Sequence, residues 1–313
     1  MQSPGSRLEV AAILLAFALS AEGAGAPTLD GGTRESAGLQ RSFVVHAPQS
    51  PAGAALRPLV IVLHGAGGNG RNALEQGHWV EKADAEGFIV VAPEGTAEHE
   101  DRSKSLLSNP QTWNAGPGIG TLAAARGVDD VGFIRDLIDD LVRTGGVDPR
   151  RVFVTGFSNG AAMSFRIGAE LSDRVSAIAP VSNALLVPVP ALARPVSLLL
   201  IWGTADPLNP YAGGMVKRGG QHYERPSAVS SWMTWSKSLA CEGSPSSEAL
   251  KAGVIRRAFE RCTGGSAAEF ISIGGLGHQW PGGKVNVRFL AGPGSDALDA
   301  TDRIWDFFHA HGR

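Results

Sequence analysis

Cysteine is nearly absent from this chain: Cys241 and Cys262 are the only two in 313 residues. No Cys-x-x-Cys spacing and no neighbouring histidine pair accompanies them, so a cysteine-built zinc site is excluded. Charge is also scarce. Charged residues make up 19% of the chain, the formal net charge is -2, and no run of five or more like charges occurs. Such a chain has no general field to gather nucleic acid or an anionic membrane. Long apolar runs are missing too, since the stretch from Val10 to Leu19 falls short of the ~20 residues that a spanning helix needs. Internal repeats and an interdomain linker are equally lacking. What is plentiful is apolar substance: 43% of 313 residues supports a sizeable core, and one α/β domain accommodates that length.

The amino end reads as separate from the fold. Arg7 precedes the apolar run Val10 to Leu19, and small residues follow from Ser20 to Ala26. This is the pattern of a signal peptide over residues 1–26, cleaved near 20 or 26, and it implies a secreted or periplasmic protein without stable membrane insertion. In an exported protein Cys241 and Cys262 are expected to form a disulfide. It would close a loop of about 20 residues and contribute about 3 kcal/mol. Residues 27–42, rich in Gly, Ser and Thr, read as a poorly ordered lead-in, and 43–313 as a single domain.

Within that domain, apolar runs alternate with helical patterns. Strands are expected at 43–46, 58–63, 87–92, 152–155, 175–181, 195–202, 254–259 and 269–273. Helices are expected near 79–86, 128–142, 159–171, 228–239 and 296–309, with 207–227 a loop. Alternation of this kind builds βαβ units and a mostly parallel sheet whose site lies at the carboxyl ends of its strands.

The stretch that organises the rest is Val152-Phe-Val-Thr-Gly-Phe-Ser-Asn-Gly160. A buried strand runs into Gly-x-Ser-x-Gly and then into a helix, the setting of a nucleophile elbow. With 41 glycines in the chain, roughly 0.4 such pentapeptides arise by chance, so the pattern needs support from elsewhere. A serine hydroxyl becomes a nucleophile only beside a base, and the base needs a partner that fixes its tautomer. On sheets of this type the chain order is Ser, acid, His. Asp206 follows one buried strand and His278 follows the last, both at the sheet edge that carries Ser158. Ser158 is therefore read as nucleophile, His278 as general base and acid, and Asp206 as the orienting carboxylate. His222, His309, Glu170, Asp173 and Glu224 follow no strand end and read as solvated side chains. The oxyanion donors are expected to be backbone N–H groups: Asn159 after the nucleophile, and Ala66 or Gly67 in the His64-Gly-Ala-Gly-Gly loop after the early strand. That loop lacks the Lys-Ser/Thr of a phosphate cradle. No metal or cofactor is called for.

The ordered set Leu63-His-Gly-Ala-Gly-Gly, Val91-Ala-Pro-Glu-Gly, Trp113-Asn, Val128-Asp-Asp-Val, Gly156-Phe-Ser-Asn-Gly-Ala-Ala-Met, Gly203-Thr-Ala-Asp and Gly277-His-Gln-Trp-Pro-Gly resembles the polyhydroxybutyrate depolymerase and feruloyl esterase group of secreted α/β-hydrolases, over about residues 42–310. The resemblance implies an α/β-hydrolase fold and a serine esterase using the residues chosen above, and it adds Trp280 as a cleft residue. No linker or separate polymer-adsorbing domain, usual in depolymerases that attack solid polyester, is read in the chain, so the resemblance leaves solid-polymer attack open.

Trp113, Tyr211 and Trp280 lie in loops expected near the cleft, where flat rings stack on an aryl group or sugar. No long helical insertion follows the elbow strand, so an open cleft without a large lid is expected, suited to an ester attached to something bulky. The expected substrates are feruloyl or acetyl esters of polysaccharide, or short polyhydroxyalkanoate esters. The competing functions are a serine peptidase or amidase and a non-catalytic binding protein on the same scaffold.

Overall fold

The computed structural model describes residues 29–49, 55–105, 108–218, 220–284 and 288–312; the expected signal segment lies outside them. In chain order the elements are β1 (Asp30–Ser36), β2 (Leu39–His46), β3 (Arg57–Leu63), α1 (Gly70–Gln76), α2 (Trp79–Glu86), β4 (Ile89–Pro93), α3 (Leu122–Ala125), α4 (Asp130–Thr144), β5 (Val147–Phe157), α5 (Asn159–Glu170), β6 (Ala177–Val181), β7 (Ser197–Gly203), β8 (Gly214–Arg218), β9 (Gln221–Arg225), α6 (Ala228–Ser238), β10 (Ser246–Lys251), β11 (Val254–Phe259), β12 (Ala268–Ile273), α7 (Arg288–Ala291) and α8 (Ala300–Ala310).

Ten strands form one sheet in the order β1-β2-β4-β3-β5-β6-β7-β12-β11-β10. The central run from β4 to β12 is parallel, and the outer pairs are antiparallel. The central strands are apolar at successive positions because both faces are covered. In β3, Leu59, Ile61 and Leu63 enter one core with α4, α5 and α6, while Val60 and Val62 enter a second with α1, α2 and α8. This is the α/β-hydrolase architecture, and its parallel strands present their carboxyl ends along one edge.

Two stretches differ from the sequence reading. Residues 30–42, expected as a disordered lead-in, form β1 and half of β2. The turn Ala37-Gly38 has positive φ at both residues (49° and 75°), the twist that suits a tight hairpin. Arg34 then pins β1 to Asp136 and Asp140 of α4. The expected loop 207–227 contains the hairpin β8–β9, which stands apart as its own two-stranded sheet. Arg225 at its end is buried and donates to the Ile119 carbonyl at 3.0 Å, tying the hairpin to the 117–119 turn.

Cys241 and Cys262 form a disulfide. It joins the segment after α6 to the segment after β11 and so brackets the β10–β11 edge of the sheet.

Candidate active site

The elbow is forced by close contact. A Cβ at position 160 would stand 2.1 Å from the Leu63 carbonyl oxygen, and one at 156 would stand 2.5 Å from the Gly160 carbonyl oxygen. Only glycine lets α5 approach β3 and β5 this tightly. Between the two glycines Ser158 adopts φ 56° and ψ -115°, a strained conformation for a residue with a side chain. Strain of this type costs on the order of 1–3 kcal/mol. It is held by Ser158 N–H donating to Val181 O at 3.0 Å and by Asn183 Nδ2 donating to Ser158 O at 2.8 Å. Ser158 is the N-cap of α5, yet its side chain makes no capping bond, so the hydroxyl is not spent on the helix.

Asp206 follows β7 and His278 follows β12, two strands that are neighbours in the sheet. His278 Nδ1 and Asp206 Oδ2 lie 2.8 Å apart. The other carboxylate oxygen accepts the N–H groups of Leu208 (2.9 Å) and Asn209 (2.8 Å). Asp206 is thus held on three sides, and a carboxylate facing Nδ1 favours the tautomer with the proton there. Ser158, Asn159, Ala66 and His278 line one cavity of about 460 Å³. His278 is thus paired with Asp206 and lines the same cavity as Ser158.

The loop after β3 corrects one assignment. Gly67 N–H donates to the Gln111 carbonyl at 2.8 Å, so it is spent and not offered to an oxyanion. Ala66 N–H and Asn159 N–H carry no acceptor among the described residues, and both residues line the Ser158 cavity. His64 fixes this loop from beneath. Its Nδ1 faces Gly65 O at 2.8 Å and its Nε2 accepts Gly95 N–H at 2.9 Å, which sets the proton on Nδ1. Full burial pushes the imidazole below its ordinary value, against a weaker opposing pull from the Gly65 carbonyl and Glu94.

The aromatic assignments divide. Trp113 is wholly buried, with Nε1 donating to His64 O at 3.0 Å and its ring 5.0 Å from the His64 ring. It buttresses the loop after β3 instead of facing a ligand, because an indole this large with a satisfied N–H packs best inside. Tyr211 is half-buried, stacks on Phe270 with centroids 6.0 Å apart, and lines neither cavity described here. Trp280 lines a second cavity of about 540 Å³ beside the first, edge-on to Trp79 and Phe157, with Nε1 donating to Thr301 Oγ1 at 3.2 Å. The two cavities adjoin at Gly65, Ala66 and Phe157.

Three further residues escaped the sequence reading. Phe157, one before the serine, sets its ring 4.7 Å from the His278 ring. Asn183 braces the elbow as described. Asp130 is buried against Arg41 (2.7 Å) and accepts Asn114 N–H at 2.7 Å, which fixes the 113–116 loop. Burial raises its pKa, and Arg41 opposes the rise. Phe157 and Asp130 stand in the motif runs quoted above, but neither is given a role there.

Comparison with known proteins gives the family of the chain. The phospholipase/carboxylesterase family profile matches residues 41–218. The chain is 31% identical over 289 residues to the candidate esterase NocK of Nocardia uniformis subsp. tsuyamanensis, covering 87% of this chain and 80% of that one. It is 28% identical to feruloyl esterase B of Piromyces equi over 80% of this chain but 45% of that protein. It is also 28% identical to poly(3-hydroxyalkanoate) depolymerase C of Paucimonas lemoignei, over 56% and 38% respectively. The chain thus spans less than half the length of these last two. The solved acetyl xylan esterase from Aspergillus awamori shares the fold, with a TM-score of 0.56 at 14% identity over 86% of this chain and 94% of that one. The chain belongs to the phospholipase/carboxylesterase family and is a carboxylic ester hydrolase of the α/β-hydrolase superfamily.

Proposed function

We propose that the protein is an exported serine esterase that works through an acyl-enzyme on feruloyl- or acetyl-type esters of polysaccharide or on short polyhydroxyalkanoate esters. The observation that carries this reading is the 2.8 Å pairing of Asp206 with Nδ1 of His278, a residue that lines the same cavity as the strained Ser158. With Nδ1 committed, Nε2 is the nitrogen that takes the Ser158 proton as Oγ attacks the ester carbonyl. Negative charge then develops on the carbonyl oxygen, where the N–H groups of Asn159 and Ala66 and the amino end of α5 stabilise it. Imidazolium returns the proton to the leaving alcohol. Water repeats the sequence on the acyl-serine, with His278 again as base.

Export is supported by the Val10–Leu19 run with its small-residue flank and by the disulfide. The substrate range follows the relatives' names and the adjoining cavities at Phe157, which leave room for an arm on each side of the scissile bond. The test is the purified protein and Ser158→Ala run side by side on methyl ferulate, acetylated xylan and soluble hydroxybutyrate oligomers. Turnover of at least one by the wild type and of none by the variant is expected. Equal turnover by both proteins contradicts the serine mechanism, and no turnover of any contradicts the substrate range.

A further inference from the structure

The loop after β3, Gly65-Ala-Gly-Gly-Asn-Gly70, has few side chains that could hold it, and glycine gives a backbone more freedom than any other residue. Its grip comes from two side chains on other segments. Glu94, just past β4, accepts Gly70 N–H with Oε1 at 2.9 Å and a Gln111 amide N–H with Oε2 at 2.9 Å. The same Gln111 Nε2 donates to Gly68 O at 3.2 Å, and the Gln111 carbonyl accepts Gly67 N–H at 2.8 Å. Positions 67, 68 and 70 are therefore all tied to one Glu94–Gln111 pair. The pair is itself fixed. Thr96 and Thr112 exchange backbone hydrogen bonds of 3.1 and 2.8 Å, and the Glu94 backbone is held by Ser42 O and the Arg41 guanidinium. Gln111 is 4% exposed, so its amide meets the carboxylate away from bulk water, where such a bond is strong. What the tie leaves out is Ala66. Gly68 N–H closes a turn on Gly65 O at 3.0 Å, and the Ala66 N–H within that turn meets no acceptor among the described residues. Ala66 lines the Ser158 cavity, as do Pro110 and Thr112 on either side of Gln111 in the chain.

We propose that Gln111 and Glu94 are positioning residues, which hold the loop after β3 so that the Ala66 N–H meets the oxyanion formed when Ser158 attacks the ester. This rests on the serine esterase reading above and deepens it. Neither residue lines either cavity, so neither touches the substrate. Their effect passes through the place of one donor, which acts on the tetrahedral state far more than on the bound ester.

Two variants test this. Gln111→Leu removes the amide and keeps the backbone carbonyl. Glu94→Gln offers Gly70 and Gln111 one acceptor where the carboxylate offers two. Each is assayed on p-nitrophenyl butyrate below its melting temperature, and each is titrated with two ketones of one shape. With 1,1,1-trifluoro-4-phenylbutan-2-one, Ser158 Oγ bonds the carbonyl carbon, its proton passes to His278 and the carbonyl electron pair becomes an oxyanion. The plain 4-phenylbutan-2-one fills the cavity without adding. Gln111→Leu is expected to lower kcat about tenfold or more with KM within about twofold, the mark of a donor displaced in the transition state. It should weaken the trifluoroketone by a similar factor and leave the plain ketone's Ki within about twofold. Glu94→Gln follows the same pattern to a smaller extent. Residues that merely brace the fold would lower Tm and leave both ketones alike. Unchanged kcat and trifluoroketone affinity in both variants, or equal weakening of the two ketones, overturns the proposal, and so does loss of a cooperative melt in both. If only Gln111→Leu fails to fold, Glu94→Gln decides. Ser158→Ala keeps the two readings apart. Turnover lost in that variant, with no ketone split in the other two, leaves the serine esterase standing and removes only Gln111 and Glu94; turnover kept there removes the serine esterase itself.

Discussion

The side-chain amide of Asn159 brackets the backbone of Trp113, accepting its N–H at 2.7 Å and donating to its carbonyl at 3.2 Å. The residue after Ser158 is thereby locked to a loop 46 positions earlier, and through the Trp113 indole to His64 O at the start of the loop after β3. The two backbone donors proposed for the oxyanion, at Ala66 and Asn159, are linked by one connected set of hydrogen bonds.

Breaking that bracket should impair chemistry more than binding. Asn159→Ala keeps the backbone N–H but leaves the buried Trp113 N–H without its acceptor, a cost of about 1–3 kcal/mol in stability, while Thr121 Oγ1 still donates to the Trp113 carbonyl. A fall in kcat of about tenfold or more with little change in KM is expected, since a misplaced donor acts on the transition state. A rise in KM with kcat intact would contradict the role.

Asp206→Asn preserves shape while removing the charge that faces His278 Nδ1. The amide oxygen can still accept Leu208 and Asn209 N–H, so the turn should fold, with its NH₂ turned toward the imidazole. That arrangement favours the wrong tautomer, and kcat should fall by about 10⁴. Steady-state rates on p-nitrophenyl butyrate check this, and a loss of under tenfold would remove Asp206 from the account.

Stability should depend on pH through His64. Burial sets its native pKa below the ordinary 6.5. Above that pH neither state carries the proton, and the buried imidazole costs nothing extra. As the pH falls below it, the unfolded chain takes up a proton that the native state refuses, and stability declines towards the native pKa by up to about 1.4 kcal/mol per pH unit. His311, also lowered by burial, adds in the same direction. His64→Gln removes only the first contribution. The fall in Tm from about pH 7.5 to about pH 5.5 should be smaller in that variant than in the wild type; equal falls would contradict the assignment.

Reducing the Cys241–Cys262 bridge should lower stability by about 3 kcal/mol with little change in initial rate at low temperature. The bridge braces the β10–β11 edge, and neither cysteine lines the candidate site. Thermal melts with and without reductant measure the first effect. A large rate loss at low temperature would show the bridge to be coupled to the site.

What could be read beforehand follows burial. Strands β3, β4, β6 and β7 are covered on both faces, so their sequences are continuous apolar runs flanked by turn residues. Strands β8, β9 and β10 carry Gly-Met-Val-Lys-Arg, Gln-His-Tyr-Glu-Arg and Ser-Ser-Glu-Ala-Leu-Lys, which lie outside the central layers and show no comparable pattern. The elbow, Asp206 and His278 could be singled out because each sits just past a strand whose apolar run is plain. Trp113 and Gly67 were not legible, because a spent N–H or a buried indole depends on which distant carbonyl arrives beside it.

The central claim is that the Ser158 hydroxyl carries the acyl group between two half-reactions. Its most direct test is rapid acid quench during turnover of p-nitrophenyl acetate, followed by mass analysis of the digested protein. The account predicts one acetyl group on the peptide that contains Ser158, present in the wild type and missing in Ser158→Ala. Full-rate turnover with no acylated Ser158 peptide, or an acetyl group carried by another residue at the same yield in both proteins, would contradict it.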